Sequence, residues 1–310
     1  MNRTVSGAIP DGRLSRRSAI GRLAGSGAAA VIAGMHLGRS TGAAQAAEPR
    51  TRSSVATTQE GTIMTDATPT AASGPLTVVL VHGAFADASN WAGVIPTLQA
   101  AEVAVLAPAN PLRGIDHDAA YIASVASQIP GPVLLVGHSY GGAVITNAGS
   151  RADNVRGLVY VGAFIPDEGE SLQNLADQST DSKVLPALRP TQYPTNPASP
   201  PDSEFIIDPA SFHEVFCADL PAEQAAILAV SQRPLAGVSF GEMTQNPAWK
   251  TLPTWAIISP SDFVIGPSGE RFMAERAGAT INEVEASHAM MISQPQVIAD
   301  VILTAVAAVA

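Results

Sequence analysis

The chain has 310 residues, of which 46% are hydrophobic and 14% charged, with a formal net charge of −10. That composition can fill a large buried core and is the opposite of a disordered chain's. The negative balance disfavours non-specific binding to nucleic acid or anionic lipid through a basic face, and the single cysteine, Cys217, excludes an internal disulfide or a cysteine zinc site and reads as a buried small hydrophobe.

The charge is unevenly spread. Residues 1–46 hold six arginines against one acid, Asp11, a balance of +5 that leaves −15 on the remainder. This segment runs from Ser15-Arg16-Arg17-Ser18 through a weakly apolar stretch, Leu23 to Leu37, to Ala44-Gln45-Ala46, whose small residues suit a signal peptidase. It resembles a twin-arginine export signal, although Ala19 stands where a Phe is usual. The expectation is an exported protein, or a cytoplasmic one if translation starts at Met64. Residues 47–74, rich in Thr, Ser, Ala and Pro without apolar period, read as a flexible linker. No later stretch is long and apolar enough for a membrane span.

From Pro75 onward, short apolar runs alternate with helical segments, the pattern of a mostly parallel sheet covered on both faces. Leu76–Val81, Val103–Ala107, Val133–Gly137, Val155–Val161, Thr254–Ser259 and Ile281–Ala286 read as strands. Asn90–Ala101, Asp116–Gln128, Tyr140–Ser150 and Gln296–Val309 read as helices. Between about 166 and 249 the rhythm breaks, prolines crowd residues 186–209, and helices are expected near Ser171–Gln178 and Pro221–Gln232. This insertion reads as a helical cap over the carboxyl edge of the sheet, where open α/β sheets bind ligands. The domain to be expected is therefore 75–310.

The chemistry concentrates at Gly137-His138-Ser139-Tyr140-Gly141, entered by the strand VLLVG and left by the small-residue helix GGAVITNA. A serine on so sharp a strand-to-helix turn sits in strained backbone, and glycines two residues to either side remove side chains that would collide with it. Ser139 then projects above the sheet with the Tyr140 N–H aimed at the reacting oxygen. A developing oxyanion needs a second donor, and the His82-Gly83-Ala84-Phe85 loop after the first strand offers the N–H of Ala84.

Together, VHGAF with Trp91 nearby, GHSYGG, and a late Asp and Ser-His resemble the α/β-hydrolase superfamily, most closely the small-ester branch of plant methylesterases and hydroxynitrile lyases. The likeness covers about Leu76 to Ala310 and is specific for the superfamily rather than the substrate. It implies an α/β-hydrolase fold, oxyanion donors at Ala84 and Tyr140 with Phe85 as a substitute for Ala84, and a structural role for His82. Among six histidines only His288, in Ala286-Ser287-His288, follows the last strand as a triad base must. Asp262, after TWAIIS, fits the triad acid, and Asp167, after an earlier strand, remains its rival.

This reading gives Ser139, His288 and Asp262 as the catalytic residues of a carboxylic ester hydrolase acting through an acyl-enzyme, with no cofactor and no metal. Phe85, Trp91, Tyr140, Met290 and Met291 are either core or pocket wall, and suggest a small hydrophobic substrate. A lyase of this branch would carry Thr at Gly83 and Lys at Ala289, and a dehalogenase a carboxylate at Ser139. A perhydrolase, haloperoxidase or lactonase on the same triad, and a small-ligand receptor on the same fold, remain alternatives.

Overall fold

A computed structural model describes residues 74–196 and 199–310. The export-type segment 1–46 and nearly all of the linker lie outside the described residues. The main elements alternate as expected: β1 (Thr77–Val81), α1 (Ile95–Ala100), β2 (Ala104–Leu106), α2 (Ile115–Ser127), β3 (Val133–Ser139), α3 (Tyr140–Ala148) and β4 (Val155–Ala163). An insertion follows with α4 (Leu172–Gln178), α5 (Val184–Ala187), β5 (Leu188–Tyr193), β6 (Asp202–Ile207), α6 (Pro209–Phe216), α7 (Ala222–Val230), β7 (Leu235–Ala236) and α8 (Val238–Gly241). The chain then completes the sheet with β8 (Thr254–Ile258), α9 (Pro267–Arg276), β9 (Thr280–Glu283), α10 (Met290–Ser293) and α11 (Pro295–Val309).

The six strands run parallel in the order β2-β1-β3-β4-β8-β9. The strands are continuous apolar runs because both faces are covered, and successive residues serve opposite cores. In β1, Val79 and Val81 join α2, α3 and the insertion, while Val78 and Leu80 join Trp91, Leu98 and the α11 residues Ile298 and Ile302. Each such fully buried Val or Leu contributes roughly 1.5–3 kcal/mol over its exposed state. The chain reverses direction across the sheet between β1 and β3, the position where doubly wound sheets open a crevice beyond their carboxyl ends. The loops after β1, β3, β8 and β9 all leave from that edge.

Two elements depart from the sequence reading for local reasons. The helix expected over Asn90–Ala101 is split into a tight 3-10 turn, Ala88–Trp91, and α1. Gly93 lies between them where a Cβ would come within 2.9 Å of Pro295 Cβ, so the chain is spaced for contact with α11 rather than for one regular helix. The expected strand over Ile281–Ala286 stops pairing at Glu283, because Ser259 Oγ bonds the Ala286 carbonyl and the chain turns toward Ser287.

The insertion contains the expected helices; Ser171 caps α4 in a reciprocal box with Asn174. It also holds an antiparallel three-stranded sheet, β5-β6-β7, that the sequence pattern did not show. Pro190 is tolerated because β5 is an edge strand, and the Leu188–Tyr193 run has too little apolar alternation to announce itself. Among the described residues no helix is long and apolar enough to cross a membrane.

Candidate active site

The turn from β3 into α3 has the strained geometry its glycines imply. Ser139 has φ 55° and ψ −123°, a left-handed conformation that costs a non-glycine residue on the order of 1–3 kcal/mol. It persists because close packing fixes it from both sides. A Cβ on Gly137 would meet the Gly141 carbonyl oxygen at 2.5 Å, and one on Gly141 would collide with the Val81 carbonyl. The loop after β1 passes equally near, since a Cβ on Gly83 would lie 2.6 Å from Ser139 Cβ.

That loop is braced by His82. Its Nε2 accepts the Asn110 N–H at 2.9 Å, so Nδ1 carries the proton and donates to the Gly83 carbonyl at 2.9 Å. Burial lowers the His82 pKa to about 4, which keeps the ring neutral and this tautomer fixed. His82 is thereby a structural strut between the β1 and β2 loops. Phe85, at φ 62°, donates its N–H to the Arg233 carbonyl at 3.0 Å. The N–H of Ala84 and the N–H of Tyr140, the first residue of α3, donate to no acceptor among the described residues. Of the two loop donors considered, only that of Ala84 is unspent.

His288 and Asp262 meet directly. His288 Nδ1 is 2.5 Å from Asp262 Oδ2, and both side chains are fully buried. Asp262 Oδ1 accepts the N–H groups of Val264 at 2.8 Å and Ile265 at 3.1 Å. Burial by itself pushes this carboxyl up, but the attraction of His288 and its hydrogen bond outweigh that effect and hold the pKa at about 2. With Nδ1 donating, the neutral imidazole leaves Nε2 as a bare acceptor, and that atom has no partner among the described residues. Asp167, the rival acid, is instead partly exposed and paired with Lys250 at 2.6 Å.

The loop bearing His288 is held from three directions. His138, immediately before Ser139, donates from Nε2 to the His288 carbonyl at 3.0 Å, and the two rings lie 4.6 Å apart. Burial, with the neighbouring His288, keeps His138 well below the ordinary histidine range and therefore neutral. From the insertion, Asp219 accepts both the Ser287 N–H, at 3.0 Å, and the Ser287 hydroxyl, while the Phe216 carbonyl accepts the Ala289 N–H at 3.1 Å. The Phe216 ring stands edge-on to His288 at 5.0 Å.

Phe85, Asn90, Phe212, Phe216 and Leu228 line a small cleft of about 20 Å³ that adjoins the His288 ring through Phe216 and the Ala84 loop through Phe85. A larger groove lined by Leu175, Ile265 and Phe272 contains none of the candidate catalytic residues. Trp91 and Met290 have no exposed surface and pack in the core beneath the site. Tyr140 is also core, its hydroxyl donated to Asp118 at 2.8 Å. Burial pushes the Cys217 thiol up to about 12, which leaves it an inert packed side chain.

Sequence reasoning missed Glu270. This carboxyl on the first turn of α9 is only 1% exposed, and its ligand atoms, with those of Asp262 and His288, lie within 4.8 Å of one another. These three are the described side chains most able to surround a cation, but Nδ1 and Oδ2 at 2.5 Å bond each other directly and leave an ion no place between them. An acid in the first turn of a helix ordinarily caps the dipole in solvent, so no sequence signal distinguished Glu270.

A parallel doubly wound sheet with a serine turn of this geometry at its carboxyl edge defines an α/β hydrolase, and residues 78–301 match the alpha/beta hydrolase family. The chain belongs to that family. It is 34% identical over 119 residues to a carbendazim hydrolyzing esterase of Nocardioides sp. (strain SG-4G), a match that covers 34% of this chain and about half (49%) of that enzyme. It is 26% identical over 246 residues to methylesterase 8 of Arabidopsis thaliana, covering 73% of this chain and 87% of that one. The crystal structure of polyneuridine aldehyde esterase shares the fold with a TM-score of 0.64 at 22% identity, over 74% of this chain and 99% of that one.

Proposed function

We propose that the protein is a serine hydrolase that cleaves small, largely hydrophobic carboxylic esters through Ser139, His288 and Asp262. The observation that carries this reading is the His288 ring. Its Nδ1 proton is bound to a buried carboxylate, and its Nε2 is a desolvated acceptor without a partner, on a loop tied through His138 to the strained Ser139 turn.

In this reaction Nε2 takes the proton of Ser139 as Oγ attacks the ester carbonyl, and Asp262 stabilises the imidazolium that forms. The N–H groups of Ala84 and Tyr140 receive the developing oxyanion. Collapse expels the alcohol, protonated by His288, and leaves an acyl group on Ser139. Water, deprotonated by the same imidazole, then releases the acid and restores the serine. The small cleft beside Phe85 and Phe216, lined by aromatic rings together with Asp87, Ser89 and Ser231, supports a short acyl or alcohol group as the substrate.

The test is a panel of short and long esters, lactones and amides assayed with the wild type and Ser139→Ala. The reading expects turnover of short esters and a loss of several orders of magnitude in the variant with unchanged folding. Wild-type-level ester turnover by Ser139→Ala contradicts it. Export through residues 1–46 belongs to the same proposal, supported by the Arg16-Arg17 pair. Changing both to Lys should retain the protein in the cytoplasm, and undiminished external activity would rule the signal out.

A further inference from the structure

We propose that Glu270 is a positioning residue for this site, a buried carboxylic acid that keeps its proton on Oε1 and donates it to Asp262 Oδ2. The proposal rests on the triad reading above for its catalytic consequence, and on the geometry of the two carboxyl groups for its substance.

Each oxygen of the pair can be accounted for. Asp262 Oδ1 takes two backbone N–H groups, and Oδ2 takes His288 Nδ1. Glu270 Oε2 takes the Ser259 N–H at 2.8 Å, while Oε1 is buried without any donor to it. Oε1 and Asp262 Oδ2 converge over Gly162, where an added Cβ would lie 3.5 Å from the first and 3.2 Å from the second. Gly162 has φ 47°, a conformation that strains any side chain, and a Cβ there would press to 2.9 Å on Met290 Cε and 3.2 Å on Asp262 Oδ2.

Two ionised carboxylates this close, sealed from solvent, cannot both persist, so one retains a proton. The three N–H donors on Asp262 hold the charge there, and Glu270, with one donor, is the acid that stays neutral. Burial and the adjacent Asp262 charge both hold the Glu270 carboxyl well above the usual carboxylate range. The ligand oxygens of Asp262 and Glu270 lie within 4.8 Å of each other, and the retained proton is the donor placed between them. A neutral donor fixes the Asp262 carboxylate toward His288 and draws off part of its charge, which sets how tightly His288 holds its own proton. The other titratable groups near the pair are His138 from β3, with His82 behind it, and Asp219 from the insertion. On α9 itself Arg271 is paired outward with Glu283, and Arg276 with Glu170.

The experiment compares wild type, Glu270→Gln and Glu270→Leu by infrared spectroscopy in water and deuterium oxide, and by the pH profile of kcat/KM on p-nitrophenyl acetate. Wild type at neutral pH should show a protonated carboxyl C=O band that shifts on deuteration and vanishes in Glu270→Gln. The amide keeps a donor toward Oδ2, so the acid limb of the Gln variant should coincide with wild type. Leucine removes the donor, so its limb should move to higher pH and kcat/KM fall on the order of tenfold. Absence of the band in wild type overturns the proposal, and so does a Gln variant whose acid limb moves to lower pH, the mark of an ionised Glu270. A Leu variant indistinguishable from the Gln variant overturns the positioning role. The band does not depend on turnover, so failure of the triad reading, seen in Ser139→Ala, is separable from failure here.

Discussion

Asp262→Asn is the substitution whose outcome the geometry specifies most closely. The side chain cannot rotate freely, because two backbone N–H groups at 2.8 and 3.1 Å require an oxygen at the Oδ1 position. The amide NH2 therefore occupies the Oδ2 position, facing His288 Nδ1 at hydrogen-bond distance. Two donors cannot face each other, so the imidazole must move its proton to Nε2, the atom that has to accept from Ser139. Loss of the correct tautomer and of the charge opposite the imidazolium costs on the order of 10⁴-fold in kcat in comparable triads, equivalent to about 5 kcal/mol of transition-state stabilisation. The assay is steady-state hydrolysis of p-nitrophenyl acetate, with thermal melts to show that the variant folds. Asp167→Asn, which removes only a partly exposed partner of Lys250, should retain most activity. A crippled Asp167→Asn beside an active Asp262→Asn would refute the assignment.

Other variants separate structural from chemical roles. Tyr140→Phe deletes a hydrogen bond to the buried Asp118 and should lower stability by about 1.5–3 kcal/mol in urea unfolding. Its kcat should stay within about twofold of wild type, since only the backbone of Tyr140 faces the oxyanion; a large fall in kcat contradicts that. Gly83→Ala places a methyl 2.6 Å from Ser139 Cβ and 2.9 Å from the His138 carbonyl, so ester turnover should fall by about 100-fold or more in a folded protein. Retained turnover would show that the two loops are less closely seated than described. Glu270 also leaves a signature in stability. Its folded pKa lies above the ordinary value of 4.5, so above pH 4.5 the unfolded chain releases a proton that the native state keeps. Stability should decline by about 1.4 kcal/mol per pH unit from 4.5 upward until the folded pKa is reached, and Glu270→Gln should remove that slope. Asp262 acts in the opposite sense: with its pKa lowered from 3.8 to about 2, its contribution is present above 3.8 and is lost as pH falls through about 2. Urea titrations at several pH values read both, and identical slopes in wild type and Glu270→Gln would contradict the first.

The parts of this molecule governed by short-range rules were legible in the sequence. β-branched runs gave the parallel strands, and the spacing of Gly137, Ser139 and Gly141 gave the strained turn, because each glycine answers a collision with backbone close by. The position of His288 after the last strand likewise followed from chain order. What was not legible depends on contacts between distant segments. The β5-β6-β7 sheet is stabilised by pairing across a Pro-rich connection rather than by its own apolar alternation. Trp91 and Met290 are equally apolar whether they line a pocket or a core, and only the packing of α1, α10 and α11 decides. Glu270 and Asp219 look like ordinary surface acids until α9 and the insertion bring them against Asp262 and Ser287. Asp167 and Asp262 both follow strands; the sequence reading favours Asp262 with Asp167 as its rival, and in the fold Asp262 bonds the imidazole while Asp167 pairs with Lys250.

The central claim is that Ser139 is the activated nucleophile and His288 its base. It is tested most directly by treating the protein with a serine-directed phosphonate and locating the adduct by intact mass and peptide mapping. The account predicts one adduct per chain, on Ser139, none in Ser139→Ala, and strongly slowed labelling in His288→Ala. An adduct on another serine, or undiminished labelling without His288, would contradict it.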